Sequence, residues 1–246
     1  MTTTMADGSD FDPAMLWSQW SRGGKGAQYA AWKTQVALNA MLPTGAYGPV
    51  KEDGIWGSES GAALKYVTGS YWPTQASLQV LDAALRTLPS ALVQANQVRY
   101  YGVTALWDED LTSAQGYLLY SMQLYPNTLA AINLGQLHER QGQWTQAVQD
   151  WQFVAANTAP TTSAGQYGRA ESSYASYQAA GGQSQWGLVS GGAPTPSKPM
   201  PIMFQLKPSE VPGTDWWTQR STAEKAAIVA GGVGLVALIG SLLIRS

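Results

Sequence analysis

The chain has 246 residues, room for two small domains and an anchor. Charged residues are only 12% and the net charge is −2, so there is no basic face for nucleic acid and no nucleic-acid partner is expected. Cysteine is absent, which excludes disulfides and thiolate metal sites, and one histidine argues against a zinc site. No metal or cofactor is expected.

The opening residues, MTTTMADGSDFD, have no positive region and no apolar core. They do not read as a secretory signal, and residues 1–12 are expected to form a polar, mobile lead. Pro13 then starts a short helix with Trp17 and Trp20 on one face at i, i+3 spacing. The glycine-rich run from Arg22 to Gly26 reads as a loop, because it lacks the spacing of a phosphate-binding loop.

Gln35, Leu38, Asn39 and Leu42 read as the end of a further helix. Asp53-Gly54 is a turn dipeptide, and Ile55 and Trp56 place a large apolar load between Gly54 and Gly57. Ser58 starts the next helix, with Glu59 in its first turn and Ala62, Ala63, Leu64, Tyr66 and Val67 following. This order of a Q-x-x-L-N helix, a D-G-apolar-x-G turn and an A-A-L-K-aromatic helix resembles the small three-helix peptidoglycan-binding domain of cell-wall enzymes and phage lysins. The match covers about Trp32 to Leu88. The resemblance implies a wall-contacting groove beside Asp53, Gly54, Ile55, Trp56 and Gly57. For Trp56 the residues leave two roles open, stacking on a ligand or packing in the core.

A repeat follows. Tyr101-Gly102, Leu134-Gly135 and Tyr167-Gly168 recur at intervals of 33, as do Ala114 with Ala147 and Leu118 with Trp151. In the best copy, 129–160, Gly135 lies on one helix, Gly142 makes the turn, and Ala147 and Trp151 lie on the next. The spacing, with a glycine in the first helix and a small residue in the second, resembles the tetratricopeptide repeat. The first copy carries Glu109 where the turn glycine would stand, and the third keeps only its first helix. A plain helical hairpin bundle is the alternative. Gly102, Ala114, Gly135, Gly142, Ala147 and Trp151 are the expected packing residues.

From Gly181 to Gly213, paired glycines and a run of prolines rule out helix and point to extended chain, interrupted by apolar Ile202, Met203, Phe204 and Leu206. Ala226 to Ile244 is an uncharged run of 19 residues, close to the length that crosses a bilayer as a helix. Trp216 and Trp217 precede it, where an interfacial aromatic belt would sit. Ala226, Ala230 and Gly234 recur every four residues, a spacing that lets another helix approach. A buried core helix is the other reading of the run.

The expected fold class is all-α: a peptidoglycan-binding-like helical domain at 13–90 packed on tetratricopeptide-like repeats at 91–180. A Gly/Pro-rich linker at 181–213 and a juxtamembrane and transmembrane segment at 214–246 complete it. Catalysis finds little support. His138, the only histidine, reads as packed, Glu52-Asp53 belongs to a turn, and Asp108-Glu109-Asp110 reads as an interhelical turn with caps. No catalytic residue is assigned and an enzyme is not expected.

The anchor and the wall-binding resemblance conflict. A C-terminal span behind no signal leaves the body in the cytoplasm, whereas peptidoglycan lies across the membrane. Three resolutions are open: the domain is reused for protein contacts, the body is exported by another route, or the membrane belongs to a virus with an internal lipid layer that meets the wall from outside. The expected function is a non-enzymatic, membrane-anchored structural protein of a bacteriophage virion or a similar assembly. Its partners are the lipid bilayer and other subunits. The alternative is a bacterial cell-envelope adaptor with peptidoglycan as partner, seated in the inner membrane.

Overall fold

A computed structural model describes residues 3–5 and 10–181 of the chain. The described part is all-helical apart from one two-stranded ribbon. The Gly/Pro-rich segment beyond Gly181, the interface residues Trp216 and Trp217, and the apolar run 226–244 lie outside the described residues. Among those described, no helix is long and apolar enough to cross a membrane.

The ribbon pairs β1 (Thr3–Thr4) antiparallel with β2 (Asp10–Phe11), Thr3 opposite Phe11. Met5 and Phe11 are both buried in the core of the N-terminal group. The expectation of a polar, mobile lead therefore misses the described residues on either side of 6–9. Two isolated apolar side chains are enough to dock the ribbon once a helical surface is there to receive them.

Four helices form the N-terminal group. In α1 (Pro13–Arg22), Pro13 stands in the first turn and the Asp12 carboxylate accepts from the backbone N–H of Ala14 and Met15. A second helix, α2 (Gly24–Met41), begins almost at once. The loop expected from Arg22 to Gly26 shrinks to Gly23, with φ 74°, because the two helices fold back as a tight hairpin. Gly26 already lies on α2, so close to α1 that a Cβ there would stand 3.2 Å from the Gln19 carbonyl oxygen. Tertiary packing overrides the low helix propensity of glycine here.

After an irregular stretch, α3 (Ser58–Thr68) ends on Gly69 in the left-handed conformation. A capping box between Thr74 and Ser77 starts α4 (Gln75–Leu85). Leu16, Trp32, Leu38, Leu64, Leu78 and Leu81 form the centre of this group.

The second group is a row of hairpins: α5 (Ser90–Trp107) with α6 (Leu111–Leu124), α7 (Thr128–Arg140) with α8 (Trp144–Ala156), and a last single helix α9 (Ser163–Ala179). Asp110, Asn127 and Thr162 cap α6, α7 and α9 through their side chains. The glycines spaced by 33 all lie at crossings. A Cβ on Gly102 would meet Leu118, one on Gly135 the Trp151 ring at 2.5 Å, and one on Gly168 the side chain of Val154. Ala114 and Ala147 are fully buried between helices, and Trp151 is wholly enclosed. Gly142 turns α7 into α8 with φ 69°. At the matching turn after α5, Glu109 adopts φ 62°, a conformation that costs about 1 kcal/mol for a residue with a Cβ.

The two groups meet along a seam. Thr128 donates its backbone N–H to the Pro43 carbonyl at 2.7 Å, and Gly45 donates to that of Asn157 at 2.8 Å. Glu59 on α3 accepts from both the backbone N–H and the hydroxyl of Ser163, at 2.7 and 2.8 Å. A carboxylate there answers the exposed N–H groups and the positive end of α9.

Candidate functional site

The turn motif is built by two amides on α2. Gln35 donates through Nε2 to the Ile55 carbonyl at 2.9 Å, with longer contacts to Asp53 Oδ1 and Ser60 Oγ. Its Oε1 accepts from the Gly54 backbone N–H at 2.9 Å. One turn on, Asn39 exchanges two hydrogen bonds of 2.8 Å with the backbone of Val50, as a strand partner would, and donates to Glu52 Oε1 at 2.9 Å. The Q-x-x-L-N spacing thus puts two amides on one helix face and the irregular chain from Val50 to Ile55 against them. Satisfying that buried backbone is what the two side chains do.

Each motif residue has a definite place. Asp53 accepts from the Ile55 backbone N–H and closes the turn. Gly54 takes φ 72° and Gly57 stands at the head of α3. Trp56 is half-buried and meets Trp20 edge-on, ring centroids 5.4 Å apart. Packing is therefore its role in this structure. Ile55 points outward and is 69% exposed.

Behind the motif runs a buried polar seam that sequence reasoning missed. Arg99 on α5, almost without exposure, reaches Glu52 Oε1 at 3.5 Å. Asn127 donates to Asn96 Oδ1, and Asn96 donates to the Ala40 carbonyl. These partners lie far apart in sequence, so no local pattern announces them.

The outer surface of the N-terminal group is aromatic. Tyr47 and Tyr66 stack with centroids 4.6 Å apart and planes 21° apart. Tyr71 lies over Gly61, where a Cβ would strike its ring, and meets Trp72 edge-on. Most of the exposed large apolar side chains among the described residues fall between Tyr47 and Trp72: Tyr47, Ile55, Tyr66, Tyr71 and Trp72.

The chemistry available elsewhere is limited. His138 is buried, with Nδ1 2.6 Å from Asp150 Oδ2 and Nε2 3.2 Å from the Gln115 amide. With that amide donating, Nε2 accepts and Nδ1 carries the proton toward Asp150. This couple has the form of a base and its orienting acid, yet an amide stands where a nucleophile would be needed. Asp108, Glu109 and Asp110 form the α5–α6 turn, where Asp110 accepts from the Ser113 N–H and is held below the usual carboxylate range by hydrogen bonding to Ser113. Among the described residues no group of His, Asp or Glu is arranged to hold a metal ion. An open groove of about 440 Å³ between α8 and α9, lined by Val148, Gln149, Gln152 and Ser176 among others, has no titratable side chain.

No protein-family model matches the chain, and no curated protein or solved structure matches it.

Proposed function

We propose that this chain is a non-enzymatic, membrane-anchored scaffold of a bacteriophage virion or a similar membrane-associated assembly, and that the Tyr47–Trp72 surface is its contact face for other subunits. The observation that supports this most is the division within the motif region. The amides of Gln35 and Asn39 are turned inward onto loop backbone, while the large apolar side chains of Ile55, Tyr66, Tyr47 and Trp72 face outward. Apolar and aromatic side chains with few fixed polar partners suit protein contacts. The uncharged run 226–244 supports the anchor, and the resemblance of 32–88 to wall-binding modules supports a virus that meets a cell wall.

The test places a photo-crosslinking phenylalanine at Ile55 or Tyr66 of the full-length chain in its native membrane. Adducts to another polypeptide are expected there and not at Gln152 in the α8–α9 groove. Adducts to lipid alone, or none, would sink the reading. The anchor is tested by Leu235→Arg, which should weaken insertion by roughly 2.5–3.5 kcal/mol and release the chain from membranes in carbonate. A wild-type chain that carbonate already releases would remove the anchor.

A second reading rests on the Tyr47–Tyr66 stack, whose exposed rings could take sugar faces of peptidoglycan. Co-sedimentation of the full-length chain with purified sacculi, lost in Tyr66→Ala, would favour it over the first.

A further inference from the structure

The hairpin row contains a set of ionisable groups that the contact face does not use. It joins α7, α8 and α9 around one indole. Trp151 on α8 lies under Gly135 and meets Tyr167 edge-on, centroids 5.2 Å apart. Its Nε1–H donates to Glu139 Oε1 at 2.7 Å. Glu171, one turn beyond Tyr167 on α9, brings its carboxyl into hydrogen-bond contact with that of Glu139. Glu171 is 3% exposed, and its Oε1 has no protein partner.

The charges around this pair can be named element by element. On α7, His138 is engaged with Asp150 of α8 at 2.6 Å, and Arg140 is exposed at the helix end. On α9, Arg169 donates to the Ala155 carbonyl, and Tyr167 hydrogen-bonds Glu171. From the N-terminal group, Glu59 is engaged with Ser163 at the start of α9. The groups that act on Glu171 are Glu139 and Tyr167. Two carboxylates in contact beside an indole, one of them enclosed and the other half-buried, cannot both be ionised at low cost. The arrangement that fits is one shared proton. Glu171 holds it and donates to the Glu139 carboxylate, which also accepts from Trp151.

We propose that the Glu139–Glu171 pair is a one-proton latch that ties α9 to α7 across Trp151 and releases α9 when the proton leaves. Burial first, then the Glu139 charge and the hydrogen bond to it, push Glu171 up to about 7. Burial raises Glu139 as well, against the hydrogen bonds from Trp151 and Glu171. Asp150 is raised by burial and lowered by His138.

The sign follows from these directions. A carboxyl whose value is raised in the closed state stabilises that state fully below its ordinary value of 4.5. The stabilisation is lost as pH rises from there through about 7, so the latch weakens toward alkaline pH. Helix α9 packs chiefly on α8 and is the last described element. This inference stands apart from the contact-face reading.

Amide hydrogen exchange of the full-length chain in nanodiscs, corrected for intrinsic rates, tests the latch. The opening constant of amides in α9 should rise about tenfold between pH ~6 and ~8, with α5 and α6 unchanged. Glu171→Gln mimics the protonated acid and should flatten that profile at the acid-side level. It leaves His138 and Asp150 in place, so a slope that survives it belongs to them and overturns the proposal. A flat wild-type profile overturns it too. Should Glu171→Gln fail to fold, carboxyl-carbon resonances of glutamate-labelled wild-type protein decide the matter. One buried carboxyl titrating near neutrality is expected, and all glutamates titrating in the ordinary acid range would refute the latch.

Discussion

The two halves of the body are held by different means. In the N-terminal group, α2 and α3 are joined by a long irregular stretch, and side-chain amides satisfy its backbone: Gln35 for Gly54 and Ile55, Asn39 for Val50. In the hairpin row the turns within each hairpin are short and satisfy themselves, and cohesion comes from large side chains seated on glycine, as Trp151 on Gly135 and Leu118 on Gly102. The first design is specified by hydrogen bonds and tolerates an irregular path. The second is specified by shape and needs a fixed spacing along the chain.

Removing the largest knob should do the most damage. Trp151→Ala would leave a cavity among α7, α8 and α9 and deprive Glu139 of its N–H donor, a loss of about 4 kcal/mol. Urea unfolding followed by circular dichroism measures it, and hydrogen exchange should place the loosening in 128–181. Loosening confined to α1–α4 would break the comparison.

Gln35→Ala should cost less, roughly 2–3 kcal/mol, because it orphans the Gly54 N–H and the Ile55 carbonyl rather than emptying a core. Its mark is local: exchange protection should vanish around the Asp53 turn while the hairpins keep theirs. Equal loss in both halves would mean that the amide clamp is not a separate device.

Glu109→Gly sharpens the contrast from the other side. It places glycine where the φ of 62° is otherwise strained and should stabilise the chain by about 1 kcal/mol, read as a higher urea midpoint. A destabilised variant would show that the Glu109 side chain contributes more than its backbone strain costs. Smallest of all, Tyr66→Ala should move folding stability by no more than about 0.5 kcal/mol while weakening partner crosslinking.

These designs were unequally legible in the sequence. A glycine under a large side chain must recur with its helix, so the spacing of 33 announced the hairpins and their crossing residues, down to Glu109 standing in for a turn glycine. The cap at Asp110 likewise acts within a few residues of itself. Met5 and Phe11 were not legible, because two apolar residues in a polar run have no period and their partners lie on distant helices. Nor was the start of α2 inside the loop expected from Arg22 to Gly26, since glycine there serves close helix approach as well as turning. The carboxyl pair was silent for a simpler reason. The residue 33 before Glu171 is His138, so the repeat aligns the wrong neighbour.

The seam between the halves has a consequence for synthesis on the ribosome. Pro43 and Gly45 find their backbone partners only at Thr128 and Asn157, and Glu59 waits for Ser163, 104 residues later. At about 5–20 residues per second, the segment from Leu42 to Glu59 emerges roughly 5–20 s before the chain that completes it. During that interval the Pro43 carbonyl, the Gly45 N–H and the Glu59 carboxylate are displayed without the partners that later cover them. Neighbouring copies on one messenger should therefore mispair most readily along this open seam, and a chaperone that holds it until Ser163 emerges should raise the yield of finished protein.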